Sequence, residues 1–473
     1  MLFKRLAKLQ ITKDFLGMSF IGIFSRFLSA FALIILIRYI SIEDFGKFSI
    51  LKTTLNHSVV FLLAGIGQTL VKFSLGWKIR YKYHYQILVD SLLRRLFFSI
   101  ATILIVVIIF SSKISLVLLD DNSLWWLIIV MTAALLPLTI VGFTSFVCIG
   151  SKSYDKYNFN IFQNSLAQSS AIFLGLLSGS WQVIITLVVI SSFISGFLSY
   201  KILKKLNISI SSFVNFRRSK SRISSHKIAL KITNTLFLGT FAVPLSFILM
   251  NIILLNKSSH YELGFFTAAY SLINLLVIFQ KSFNNILVGK LLDRVDKYDI
   301  YNNVYHSLMF GILIFTIPIM FPELFSIFLG KKYEDNLFFF YISTLSMISF
   351  LFLFSDSLTR IFLKESMVYI NLMFNFIWIS LSLLLFISQD DILWRTTSIL
   401  FSLIIALMLI LIPIYKNSII DIRFIFLVFL IILISISSDF FISYASLLTK
   451  IIYLFIKFSL LILIFLKVRV LKY

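Results

Sequence analysis

The sequence predicts an all-α polytopic membrane protein of 12–14 transmembrane helices, arranged as two pseudo-symmetric six-helix lobes. Three observations predict it. First, the 473 residues are 59% hydrophobic, with a mean hydropathy of +0.99. A soluble chain of this length cannot hide so much apolar surface, because size caps the buried fraction. Second, basic residues crowd onto alternate connections between apolar runs. Third, one short phrase occurs twice. It reads Ile42-Glu43-Asp44-Phe45-Gly46-Lys47-Phe48-Ser49 and again His260-Tyr261-Glu262-Leu263-Gly264-Phe265-Phe266-Thr267. Both copies fit acid, any residue, Gly, any residue, Phe, hydroxyl. Each follows one apolar run and opens the next, as expected of two related halves.

A membrane span needs about 20 apolar residues. Six candidates lie in the first half: 15–38, 48–70, 91–112, 124–149, 158–178 and 182–203. Six more follow at 232–255, 263–288, 304–330, 336–358, 367–388 and 392–415, and two shorter or later runs at 423–438 and 443–466. The third carries Arg94 and Arg95 at one end. Pro137, Pro244, Pro318 and Pro413 fall inside spans, where a missing N–H kinks a helix. The Gly of each repeated phrase is expected to let the outer turn close tightly, with the preceding acid capping the helix start.

The formal charge of +23 resembles a nucleic-acid signal until it is mapped. Most Lys and Arg then fall on one side of the membrane, and the acids lean to the other. This is the positive-inside pattern, and it sets both termini in the cytoplasm. The basic balance orients the chain and calls for no nucleic acid. The first run is too long for a signal-peptide core and lacks a small-x-small cleavage site, so it reads as a retained span. Cys148 is the single cysteine and lies in a span, where it acts as a small apolar residue.

Loops are short, and the largest is the basic stretch 204–231. It divides residues 1–203, the first lobe, from 232–415, the second; residues 416–473 hold two additional spans. Six spans per half is even, so the halves run parallel about an axis along the membrane normal.

Ionisable groups inside lipid are costly. Arg26 sits near the middle of span one, Lys52 about one turn into span two and Lys281 late in span eight. One reading makes them structural partners or snorkelling residues; the other places them around a cavity. A cationic cavity suits a phosphate or pyrophosphate, since each cation is cheaper opposite an anion. Lys457 reads as structural. Asp356 is the one acid within a span, and Arg360 follows four residues later, close enough to pair on one helix face. The alternative for Asp356 is proton or cation coupling. His57, His84, His226, His260 and His306 are dispersed without metal-ligand spacing, and His57, the only one inside a span, reads as a packed neutral imidazole. No P-loop, HExxH, GxSxG or CxxC occurs, and no cofactor or enzymatic activity is expected.

These residues resemble a known family. Arg38-Tyr39-Ile40-Ser41-Ile42-Glu43-Asp44-Phe45-Gly46-Lys47-Phe48 is similar to the signature after the first span of polysaccharide-biosynthesis exporters. Gly65-Ile66-Gly67-Gln68-Thr69-Leu70-Val71-Lys72-Phe73 resembles their phrase at the end of span two, with Lys72 where Arg is frequent. Glu262-Leu263-Gly264-Phe265-Phe266 and Phe321-Pro322-Glu323-Leu324-Phe325, followed by Gly330 and Tyr333, match in style. The resemblance is to the multidrug/oligosaccharidyl-lipid/polysaccharide (MOP) superfamily, and within it to the O-antigen (Wzx-type) flippases, related to the lipid II flippases. It implies a MATE-like fold with a central cavity in a bacterial inner membrane. It implies translocation of undecaprenyl-diphosphate-linked oligosaccharide to the outer leaflet, with a polysaccharide polymerase and a chain-length regulator as partners. It implies Arg26, Lys52 and Lys281 as cavity cations, although Lys replaces Arg at two of them. Asp356, Arg360, Gly46, Gly264 and Lys72 then become candidates for coupling or gating.

Two other functions remain open on the sequence. A drug or cation antiporter of the same fold makes Asp356 matter more than Arg26. A membrane polysaccharide polymerase or ligase needs essential outer-loop residues, and the short outer loops weigh against it.

Overall fold

The computed structural model describes residues 11–67, 69–70, 82–151, 153–206, 208, 233, 237, 259–291, 311–312, 314–361, 449–450, 452–453 and 456–457. Among these residues every regular element is helical. The chain divides into two units, Met1–Thr267 and Ala268–Tyr473. Apart from 204–206 and Ile208, the expected linker 204–231 lies outside the described residues, as do most of 367–466.

The first unit opens with α1 (Ile11–Tyr39) and α2 (Ile42–Leu63). Ser41 separates them. Its hydroxyl accepts from the Asp44 backbone N–H at 3.0 Å and donates to the Asp44 carboxylate at 2.7 Å. Glu43 and Asp44 stand in the first turn of α2, where the helix dipole favours acids. Glu43 also holds Lys47 one turn on, at 2.8 Å. These contacts correct one expectation. The cap is the Ser41 hydroxyl rather than the acid before the glycine, and Gly46 lies within the helix rather than in the turn.

The third apolar run becomes α3 (Lys82–Leu119), longer at both ends than the run itself. Its middle presents Phe98, Ile105, Ile108 and Ile109 outward, and Phe98 is 77% exposed. Exposed apolar side chains in such density suit acyl chains rather than water. The fourth run, read as one span, is two helices: α4 (Trp125–Ala133) and α5 (Leu135–Gly150). They meet at Ala134, whose N–H turns back to the Met131 carbonyl at 3.0 Å. Pro137, in the first turn of α5, supplies no N–H to bridge the break. Gly196 of α7 (Trp181–Lys205) packs directly on Pro137, and a Cβ there would press on the proline ring.

α6 (Tyr154–Leu176) carries amides where its neighbours are apolar, and it packs against α1, α5 and α7. The Asn160 amide donates to the Val141 carbonyl at 3.0 Å and to Ser145 Oγ at 2.9 Å, both on α5. Ser199 of α7 donates to Asn160 Oδ1 at 2.6 Å, and Gln163 donates to the same oxygen at 3.1 Å. Interhelical bonds of this kind hold helices together where lipid gives little hydrophobic drive. By length and composition, three stretches can cross a membrane among the described residues: Leu88–Leu119, Asn122–Gly150 and Trp181–Lys205.

α8 (His260–Leu291) begins in the first unit and continues in the second. The second unit also contains helix 314–320, α9 (Glu323–Leu329) and α10 (Asn336–Ile361). Gly330, at φ 95°, ends α9 in a conformation that favours glycine. Tyr333, Phe338 and Tyr341 are then fully buried. Lys457 is buried and donates to Thr316 Oγ1 at 2.9 Å, and Lys450 lies 3.4 Å from Glu323. The structural reading of Lys457 agrees with that contact.

Candidate gate and cation positions

The repeated phrase supplies the most specific geometry among the described residues. In the first unit its two copies touch each other. A Cβ on Gly46 would strike the His260 carbonyl oxygen and lie 3.3 Å from the Gly264 nitrogen. A Cβ on Gly264 would strike the Ile42 carbonyl oxygen and lie 2.7 Å from Ile42 Cγ2. Within the phrase, His260 holds the place that Ile42 holds in the first copy. The contact is therefore reciprocal, as across a two-fold axis: each glycine meets the residue four before the other. The nearest obstructing atom at each glycine is a backbone carbonyl oxygen, which cannot swing aside as a side chain can. Glycine is required here for close helix approach.

A charged cluster borders the crossing. His260 is 6% exposed, and its Nε2 lies 3.2 Å from Asp120 Oδ2. Asp120 follows α3 with φ 53°, a left-handed conformation that Asp tolerates. Burial pushes the His260 pKa below its ordinary value near 6.5; Asp120 works against that shift, Lys47 reinforces it and Glu43 opposes it. Lys47 holds the Glu43 carboxyl below the usual range. Neighbouring Asp121 is likewise lowered, by hydrogen bonds from Ser123.

The other end of α2 also meets the second half of the sequence. Gly65, at φ 73°, has no room for a Cβ beside the Thr233 carbonyl and the Phe237 backbone. Thr69 Oγ1 lies 2.9 Å from Thr233 Oγ1 in a buried hydrogen bond. Phe61 meets Phe237 edge-on at 5.6 Å.

The predicted cations divide. Arg26 is half-buried on α1, near enough to Tyr157 of α6 for its charge to act on the phenol. Lys52 is half-buried on α2, with its Nζ 5.6 Å from the Phe48 ring centroid. Among the described residues neither pairs with a carboxylate. Lys281 falls on α8, and Asp356 and Arg360 on α10, but their side chains lie outside the described set, as does all of Lys72. A 450 Å³ cavity between α2, α3, α4 and α5 is lined by apolar groups such as Leu51, Phe110 and Met131 and includes neither Arg26 nor Lys52.

Sequence reasoning missed three participants. His260 was visible as the first residue of the second phrase, but its partner Asp120 is remote in sequence. Tyr157 lies beyond the inner edge of a predicted span. Thr69 was quoted within a motif, yet nothing in the sequence pairs it with Thr233.

No family model matches the sequence, and no curated protein matches it. Solved structures do match. The lipid II flippase MurJ in an inward closed conformation aligns with a TM-score of 0.69 at 12% identity, over 97% of this chain and 99% of that one. The MATE multidrug transporter DinF-BH aligns with a TM-score of 0.62 at 14% identity, over 86% and 96%. A MOP superfamily transporter from Pyrococcus furiosus aligns with a TM-score of 0.61 at 12% identity, over 86% and 96%. Both the lipid II flippase and the drug transporters are thus structural neighbours, and this chain has the all-α, multi-pass membrane fold that MOP superfamily transporters share.

Proposed function

We propose that the protein moves an undecaprenyl-diphosphate-linked oligosaccharide from the cytoplasmic to the outer leaflet of a bacterial inner membrane by alternating access. The observation that carries the reading is the reciprocal glycine crossing of the repeated phrase on a transporter fold. A two-state carrier needs a contact that closes one entrance and can be released as a unit. Two helices that approach backbone to backbone at paired glycines form such a contact. On the proposed topology the crossing is at the outer end, with both termini cytoplasmic.

An anionic cargo is favoured by Arg26 and Lys52. Both are partly shielded and unmatched by any described carboxylate, so a diphosphate would offset their charge. Lys281 is proposed to join them from span eight. The sugar would travel in the polar interior while the prenyl tail stays in lipid. Moving negative charge outward runs with an inside-negative potential, worth about 2.3 kcal/mol per charge per 100 mV. Asp356 and Arg360 are the proposed coupling pair, and Lys72 a gating residue at the inner end.

The MATE neighbours favour a second reading, a cation-coupled antiporter. Complementation of a strain lacking its polysaccharide flippase separates the two. Under the flippase reading, wild type restores surface polysaccharide, Arg26→Ala at equal abundance does not, and Asp356→Asn is the milder lesion. Full rescue by Arg26→Ala with loss in Asp356→Asn would reverse the assignment.

A further inference from the structure

We infer that His260 and Asp120 form a proton-operated latch on the glycine crossing, closed when the imidazole is neutral and released when it is protonated. The inference rests on the gate reading above and adds its regulation. Three observations carry it. The backbone carbonyl of His260 is the atom that Gly46 must accommodate, so movement of this residue moves the crossing itself. Its imidazole is buried, and neither ring nitrogen makes an aligned hydrogen bond, Nδ1 included. Asp120 touches Nε2 from the end of α3, an element outside the repeated phrase, and so ties the crossing to a third helix.

The charged groups facing the imidazole are Asp120 from the end of α3 and Glu43 and Lys47 from α2. On its own helix the neighbouring acid is Glu262, which is half-buried. Burial favours the neutral ring, and Lys47 adds to that; Asp120 and Glu43 oppose it, and the balance lies below the ordinary value near 6.5. Separating the helices would hydrate the ring and restore the ordinary value. The open form therefore binds the proton more tightly, and by linkage acid must favour opening. The closed form is fully favoured above the open-form pKa and loses ground as pH falls through it. On the proposed topology this proton arrives from outside, so the gate would respond to external acid.

The test reads conformation, not transport. Spin labels are placed at Tyr39→Cys and Tyr261→Cys in a Cys148→Ser background, since Tyr39 is 76% and Tyr261 48% exposed. The full chain is held in nanodiscs, and pulsed electron–electron distances are taken at about pH 8 and about pH 5.5, the range in which histidine changes charge. The expected result is a short distance at the higher pH and growth of a longer one at the lower. His260→Gln should hold the short distance at both. Asp120→Asn, an exposed change, should move the transition to higher pH, because it removes the counter-charge that steadies the imidazolium in the closed form only. Acid response persisting in His260→Gln, or a midpoint unmoved or lowered in Asp120→Asn, overturns the latch. Gly46→Ala separates the two claims. If it lengthens the distance while acid does not, the latch fails and the gate stands; if neither changes the distance, the gate fails and the latch with it.

Discussion

Gly46→Ala is the smallest change that reaches the crossing. It adds one methyl group, aimed at the His260 carbonyl oxygen, with the Gly264 nitrogen 3.3 Å away. Both obstacles are backbone, so relief requires the helices to part. Forcing a methyl into a packed contact typically costs about 1–3 kcal/mol. Alanine also returns roughly 0.5–1 kcal/mol of helix propensity over glycine. That gain applies whether the crossing is closed or open, so it cancels in the ratio between them. The closed form should lose the whole steric term, shifting the equilibrium toward open by about 5–150-fold. The assay is labelling of Thr267→Cys, in a Cys148→Ser background, with a membrane-impermeant maleimide. Thr267 is buried three residues beyond Gly264, on the same helical face. Labelling should be slow in the parent and faster by about that factor with Gly46→Ala. Gly264→Ala should act alike, and the pair together less than additively, because both remove one contact. Unchanged labelling in both single variants would refute the argument that glycine at these positions closes a gate.

Two further outcomes concern stability and are read by thermal melting in detergent or nanodiscs. Ser41→Ala removes the α2 cap at the Asp44 N–H and should cost about 1 kcal/mol, while Ser41→Asp, which keeps an acceptor, should recover much of it. Asn160→Leu removes the amide that joins α5 to α7 through Ser145 and Ser199, and should cost about 1–3 kcal/mol, more than Ser145→Ala, which removes one bond from the same network.

Hydropathy made the spans legible because bilayer thickness imposes one length on all of them. It located the break near Pro137 but not its form, because the turn at Ala134 depends on how α5 seats against Gly196 of α7. It understated α3, whose ends mix charges with apolar residues and so fall outside an apolar run. The repeated phrase marked both glycines, but not their place at a helix crossing. Glycine in a turn and glycine at a helix crossing look the same in sequence. Only the reciprocal approach to the Ile42 and His260 carbonyls separates them. Arg26 was legible as an anomaly in an apolar run, whereas its neighbour Tyr157 was not, since an aromatic near a span edge is ordinary.

The two copies of the phrase differ where a simple hinge has no need of difference. At equivalent places stand Ile42, an apolar residue, and His260, a titratable one. A symmetric crossing closed by glycine alone would open and close on packing energy, without an input. Replacing one of two equivalent residues with histidine keeps the backbone contact and adds a dependence on protons, and Asp120 sits within reach of that side chain. The same logic applies to the other end of α2. There Thr69 and Thr233 meet through hydroxyls that do not titrate near neutrality, so that contact carries no pH signal. One helix thus meets the second half of the sequence at both ends, and only one end answers to acid. Two ends that respond differently to one input are what alternating access requires, because a carrier whose ends opened together would leak. Thr69→Val with Thr233→Val tests this directly. A double-mutant cycle should give a coupling of about 0.5–1.5 kcal/mol that does not change between pH 5.5 and pH 8. A coupling that did change with pH would mean the two ends share a titrating group, and the assignment of acid sensitivity to His260 alone would fall.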